Sequence, residues 1–427
     1  MNDHFSICGR SFTDHAATNT VTIYFLTMSL LSILTSTGKK KTFKFKALVP
    51  TTALLLSSLQ ISSSFALNTN NQKYSSTTSC AANPTNSNMM TIPQLDPKTI
   101  DLVEKAGGRI EPLDPIGAVV YGIDLTSTTK PPSESLIAAL QTDAMATRGF
   151  LVFKGQDPKM SVEDELTAIT LWGSRTLHST HGVHPATPDG NHHIFRLSND
   201  QRHGILGVGP QWHNDGSFVP GTFSHVGYRI VVPPKDGAAG TQFCHQGAAY
   251  DALPPDRQDF WERLTTVNSN GGVLHPAVHE HPISKRKSIW LHLGMTGAVI
   301  EKEKDEDGFR LLKEDEMKQL FHEYNNVLNA GVENGTYGIA YTYEEGDFII
   351  IDNLAVAHRA SPEAHMAPDK VGLRIMHRTT IAAMQNFIPK FGLPPFMDLY
   401  GPSPFGEGVW KGGGIGFRWD DSIHMQN

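Results

Sequence analysis

Gln211-Trp212-His213-Asn214-Asp215-Gly216-Ser217-Phe218 (QWHNDGSF) is the stretch on which the reading turns. In a strand or extended loop, residues two apart point to the same side. The His213 imidazole and the Asp215 carboxylate can therefore face one metal ion. Alone the pair says little: with 20 histidines in the chain, about one His-x-Asp is expected by chance. Its companions make it a signal. Well downstream, the apolar run Phe348–Asp352 (FIIID) reads as a strand and leads into Asn353-Leu354-Ala355-Val356-Ala357-His358. Sixteen residues past His358 comes Arg374, in Arg374-Ile375-Met376-His377-Arg378. Two histidines and a carboxylate on one face of an octahedral ion form the facial triad of non-haem Fe(II) oxygenases, with the remaining positions open. A 2-oxo acid can take two of these through its keto oxygen and C1 carboxylate, and dioxygen the third. An arginine suits the far carboxylate of such an acid, because its planar fork matches two oxygens.

Around this core the pattern is of strands with helices at the edges. Val119–Leu125 (VVYGIDL) predicts a strand, and Ser133 the N-cap of a helix over Glu134–Thr147 stopped at Gly149. Phe150–Phe153 predicts a buried strand, and Ser161 with Asp164 a capping box opening a helix to about Trp172. Short strands and Pro/Gly turns follow to about residue 300. Residues 302–330 are charged and predict a helix, with Leu312, Met317, Leu320, Phe321 and Tyr324 on one face. Gly372–Ile381 predicts another strand. There is no internal repeat. The 38 glycines and 26 prolines supply turns rather than a helix bundle. The fold class expected is α+β, mainly β: a barrel or sandwich with helical packing.

The chain has 427 residues, 39% hydrophobic and 19% charged, which excludes wholesale disorder. Residues 1–66 carry a basic patch (Lys39, Lys40, Lys41, Lys44, Lys46), then a short apolar run ending in small residues at Ala66. This reads as a targeting segment for the secretory pathway or a plastid. The run falls short of a membrane span, so no stable anchor is expected after processing. Residues 67–91 are polar and read as a disordered linker, 92–400 as the catalytic domain and 401–427 as a C-terminal tail. Net charge is −7, and the first 66 residues contribute +4, leaving −11 on the remainder. An acidic domain argues against a nucleic-acid partner and leaves a small molecule as the expected one; a homo-oligomer is compatible with it. Three cysteines exclude a disulfide scaffold, and Cys244 reads as a buried small hydrophobe.

Five ordered matches carry a family resemblance: GIDL at 122–125, WHND at 212–215, Gly240-Thr241 followed by AAYDALP, FIIIDN with His358, and RIMHR at 374–378. From about residue 115 to 390 the chain resembles the taurine dioxygenase/TfdA group of Fe(II)- and 2-oxoglutarate-dependent oxygenases. The resemblance implies a double-stranded β-helix (jelly roll) core with flanking helices. It implies Fe(II) held by His213, Asp215 and His358, with 2-oxoglutarate and O₂ as co-substrates. Arg374 would pair with the far carboxylate of 2-oxoglutarate and Thr241 would hydrogen-bond it. Arg378 would bind an anionic group of the substrate, and Asn199 would line the substrate pocket. Where the taurine enzyme has a sulfonate-contacting His and a Tyr, this chain has Thr180 and Val183, which argues against taurine itself. The reaction implied is oxidation of an unactivated C–H bond of a small anionic or zwitterionic substrate. Hydroxylation is the default, with desaturation or oxidative cyclisation in amino-acid-derived metabolism, or sulfonate release, as alternatives. A metal-binding jelly roll that does not use O₂ would share the triad but has no need of Arg374.

Overall fold

Phe348–Asp352 is buried along its whole length. In the computed structural model, which describes residues 92–173, 182–305, 307–382 and 390–410, it is the central strand of a seven-stranded sheet. The sheet order is Arg109–Pro112, Ala118–Tyr121, Phe150–Phe153, Phe348–Asp352, His225–Val232, Ile375–Ile381, Phe195–Ser198. Neighbours are antiparallel except Ala118–Tyr121 beside Phe150–Phe153. A second, three-stranded antiparallel sheet holds Thr241–His245 between Gly338–Tyr341 and Val356–Ala360.

A central strand must be apolar on both faces, which is why FIIID shows no alternation. Ile349 and Ile351 join Phe150, Val152, Val226, Phe243 and Met376 in the core between the two sheets. Phe150 stacks on Phe243 there, ring centroids 4.4 Å apart. Phe348 and Ile350 point the other way, onto the helices that cover the large sheet through Leu136, Leu140, Leu166 and Ile169. This is the jelly-roll sandwich with flanking helices that the resemblance implies.

The helix predicted from Ser133 forms, with the Ser133 side chain accepting from Leu136 N, and carries a wide π-helical turn over Leu140–Met145. It ends before Gly149, whose φ of +92° suits a residue without a Cβ. The Ser161–Asp164 capping box is reciprocal and opens Val162–Thr170. The predicted strand 119–125 is shorter, Ala118–Tyr121, because Gly122 turns the chain at φ +72°.

One expectation is corrected. Residues 302–305 and 307–313 are not helical: Lys302 closes the strand Thr296–Lys302, and Phe309–Leu311 pairs back against it. The helix is Glu314–Glu333, started where Glu316 accepts from Lys313 N at 2.8 Å. Its buried face (Met317, Leu320, Phe321, Tyr324, Leu328) covers the small sheet together with Trp212, Trp261 and buried Cys244, and Leu312 joins it from outside the helix. Among the described residues no helix is long and apolar enough to cross a membrane. The targeting segment, the linker, Thr180 and residues 411–427 lie outside the described residues.

Candidate active site

The two histidines of the sequence motif are brought together by backbone pairing. His213 N donates to His358 O at 3.1 Å and His358 N to His213 O at 3.0 Å. Residues opposed in this way project side chains from the same face, and the two rings lie 4.4 Å apart. Asp215 joins them, with Oδ1 3.9 Å from His213 Nε2 and Oδ2 3.7 Å from His358 Nε2. One ligand atom from each residue lies within 4.8 Å of the others, and all three residues are buried; among the described residues this is the one such group that could hold a metal ion.

A buried amide lattice fixes the loop. Asn353 Oδ1 accepts from Asp215 N at 2.9 Å, and its Nδ2 donates to the carbonyls of Asp215 and Phe223, each at 2.8 Å. Asn214 Nδ2 donates to Asn353 O, Val356 O and Gln246 Oε1, and Gln246 Nε2 returns a bond to Asn214 Oδ1 at 2.8 Å. Four of these bonds tie Asn214 and Asp215 to the segment leading into His358, and the others brace it against Phe223 and Gln246. Sequence reading quoted Asn214 and Asn353 inside their motifs but gave them no role; Gln246 and Tyr343 carried no signal.

The donor set fits Fe(II). His213 Nδ1 donates to Gln211 O at 2.7 Å, since a carbonyl can only accept, which leaves Nε2 as the ligand atom beside Asp215. Both ring nitrogens of His358 are buried without a hydrogen-bond partner. Such atoms cost about 1–3 kcal/mol each unless something binds them. Burial holds His358 down to about 3 and His213 below its ordinary value, so both are neutral at physiological pH and can ligate. Two neutral imidazoles and one carboxylate leave one face of an octahedral ion open.

Gly209 shows how tightly the loop wraps this centre. Its φ is +70°, and a Cβ there would sit 2.9 Å from His213 Cε1 and 3.4 Å from the ligating Nε2. Gly209→Ala is therefore expected to leave the fold intact but weaken Co(II) affinity about 10-fold or more by turning the His213 ring. Isothermal titration checks it, and an unchanged affinity would show that the ring has room to spare.

Two cavities meet at the triad and share His213 and Arg378. The inner one is lined by Thr241, His358, His365 and Arg374. Arg374 is buried, its Nε has no partner, and its guanidinium lies 5.9 Å from the centre of the Tyr343 ring. Tyr343 Oη in turn hydrogen-bonds Thr241 Oγ1. Burial raises the Tyr343 pKa, against the pull of Arg374 and Thr241, so the phenol is neutral. Gly240 lets the chain pass: a Cβ there would lie 2.0 Å from Tyr341 O.

The outer cavity has a volume of about 400 Å³. Leu206, Val208, Phe218 and Met295 give it an apolar wall, and His292 and Arg378 are among its polar members. Arg378 Nη1 donates to Asp215 Oδ1 at 2.5 Å, with the guanidinium over the Phe195 ring at 4.7 Å.

Asn199 is held by backbone. Its Nδ2 donates to Met366 O (3.0 Å) and Gly372 O (2.9 Å), and its Oδ1 accepts from Arg374 N (2.9 Å). With its amide bonded to backbone, Asn199 holds the segment carrying Arg374. His377 faces away, as its position between the arginines suggests, bonding Glu165 through Nδ1 and accepting from Arg196 at Nε2.

Residues 109–380 match the family described as "Taurine catabolism dioxygenase TauD, TfdA family". The chain is 24% identical over 268 residues to the alpha-ketoglutarate-dependent sulfonate dioxygenase of Saccharomyces cerevisiae, covering 57% of this chain and 60% of that enzyme's length. It is 28% identical over 272 residues to the alkylsulfatase of Acinetobacter baylyi, covering 57% of this chain and 77% of the relative. A solved taurine dioxygenase from Burkholderia xenovorans shares the fold with a TM-score of 0.53 at 21% identity, over 67% of this chain and 94% of that one. With the family matched over residues 109–380, and with a buried His-Asp-His donor set suited to Fe(II), the chain belongs to the TauD/TfdA family of Fe(II)- and 2-oxoglutarate-dependent dioxygenases.

Proposed function

We propose that this chain oxidises an unactivated C–H bond of a small anionic or zwitterionic molecule with an apolar body, hydroxylation being the outcome. In this reading His213, Asp215 and His358 hold Fe(II), and Arg374 with Thr241 holds the far carboxylate of 2-oxoglutarate. The oxidising power comes from Fe(II) and O₂, with 2-oxoglutarate leaving as succinate and CO₂. The residues supply orientation. Asn353 and Asn214 fix the ligand loop, and Tyr343 places the Thr241 hydroxyl next to Arg374. The apolar wall of the outer cavity offers a surface for the apolar body of the substrate.

One observation carries the substrate class. The cationic Arg378 lines both cavities and touches the metal-ligating carboxylate, so the anionic group of a substrate would be held close to the oxidised carbon. A sulfonate or sulfate ester is the second reading, favoured by that same arginine and by the names of the yeast and Acinetobacter relatives. The test is Fe(II)-dependent succinate release from 2-oxoglutarate, screened with alkyl compounds matched in length that end in a sulfonate, a carboxylate or a neutral hydroxyl. Stimulation by the charged members is expected. Equal stimulation by the neutral ones would remove the anion requirement, and a sulfonate preference would select the second reading.

A further inference from the structure

His365 lies in the connection between the strands Val356–Ala360 and Ile375–Ile381, at the end of the short 3₁₀ turn Pro362–His365. Nothing in the sequence motifs points to it. The structure puts it in the lining of the inner cavity, which also includes Thr241 and Arg374, and the Arg374 charge acts on its ring. Its Nε2 is buried without a hydrogen-bond partner, and so is Arg374 Nε. Two orphaned polar atoms of this kind around one small cavity, with the Thr241–Tyr343 hydroxyl pair beside them, mark a place built for an acceptor with several lone pairs. The only group the reaction brings to that end of the cavity is the far carboxylate of the co-substrate.

The placement of His365 is not left to a loose loop. Asn199 donates to Met366 O, next in the chain after His365, and accepts from Arg374 N. One buried amide thus sets the distance between the stretch that carries the imidazole and the residue that carries the guanidinium. Burial, and then the charge of Arg374, keep the imidazole below its ordinary pKa, so it is neutral and holds one N–H.

We infer that His365 is a co-substrate-binding residue, its Nε2–H donating to the far carboxylate of 2-oxoglutarate beside Arg374 and Thr241. This rests on the 2-oxoglutarate dependence of the family. It makes the carboxylate site a three-residue one, in which a neutral donor adds directionality to the arginine's charge.

The test compares two ligands with the same metal-chelating end: 2-oxoglutarate, and 2-oxopentanoate, which ends in a methyl group where 2-oxoglutarate has its far carboxylate. Dissociation constants are read anaerobically from the Fe(II) charge-transfer absorption of the full chain. A hydrogen bond to a charged group corresponds to a Kd for 2-oxoglutarate raised about 10-fold or more in His365→Ala. The Kd for 2-oxopentanoate and the Co(II) affinity stay at the wild-type values. His365→Gln, which keeps a donor of similar reach, recovers part of the loss. If 2-oxoglutarate binds the alanine variant as well as the wild type, or if both ligands weaken together, His365 is only packing and the inference falls. If the wild type itself shows no charge-transfer band with 2-oxoglutarate, the co-substrate reading falls and the inference with it.

Discussion

Asp215→Ala is expected to weaken Fe(II) or Co(II) binding by about 10²–10³-fold, because removing one member of a buried, hydrogen-bonded charge group typically costs 3–5 kcal/mol. Turnover should fall at least as far. Asp215 is the only anion among the three ligands, and the two histidines it joins are neutral. Its loss also leaves Arg378, which is 8% exposed, without the carboxylate it now bonds, so the alanine variant should melt at a lower temperature as well. Asp215→Asn separates the two effects. The backbone amide and carbonyl of residue 215 stay in the Asn353 lattice, so folding should survive while the charge, and with it most of the metal affinity, is gone. Metal titration with succinate release decides the matter. Turnover within about 10-fold of wild type in Asp215→Asn, with metal still bound, would show that this triad is not the reactive centre.

Arg374→Ala should raise the Kd for 2-oxoglutarate about 100-fold or more. The guanidinium is buried and its Nε is unpaired, so in the proposed reading an incoming carboxylate would pair with it in a setting that water screens little. Binding of 2-oxopentanoate should be nearly unaffected, because it presents no charge to that end of the cavity. Arg374→Lys should recover only part of the loss: an ammonium keeps the charge but not the two-pronged geometry. Larger losses than those at His365 are expected, since the arginine supplies charge and the histidine only a directed N–H. Equal loss of both ligands in Arg374→Ala would instead place this arginine in support of the fold.

The parts of the site readable in the sequence are those that depend on short spacing. His213 and Asp215 two apart, and Arg374 and Arg378 after a strand-forming run, report local backbone geometry directly. The same holds for the Ser133 and Ser161 caps and for the doubly apolar strand Phe348–Asp352. The error at residues 302–313 has a local cause too. A charged, polar-rich run scores as helix when read alone, but Phe309–Leu311 gains more by pairing with the end of Thr296–Lys302 than by extending a helix. For Asn199 the limit is the opposite one. A side-chain amide reads the same in sequence whether it faces a substrate or the backbone carbonyls of Met366 and Gly372, and only the fold says which of them is near.

Residue order alone brought out the His-x-Asp pair, the histidine and arginine downstream of it and a mainly β class, because strand periodicity and ligand chemistry act over a few residues, while the jelly-roll form was implied by the family resemblance. Three things came only with the tertiary structure. They are the backbone pairing that seats His213 against His358, the contact of Arg378 with Asp215, and the unpaired nitrogens of His358, Arg374 and His365 around one cavity. Each joins segments far apart in the chain, and whether a buried polar atom has a partner is settled by what packs against it, not by its neighbours in sequence.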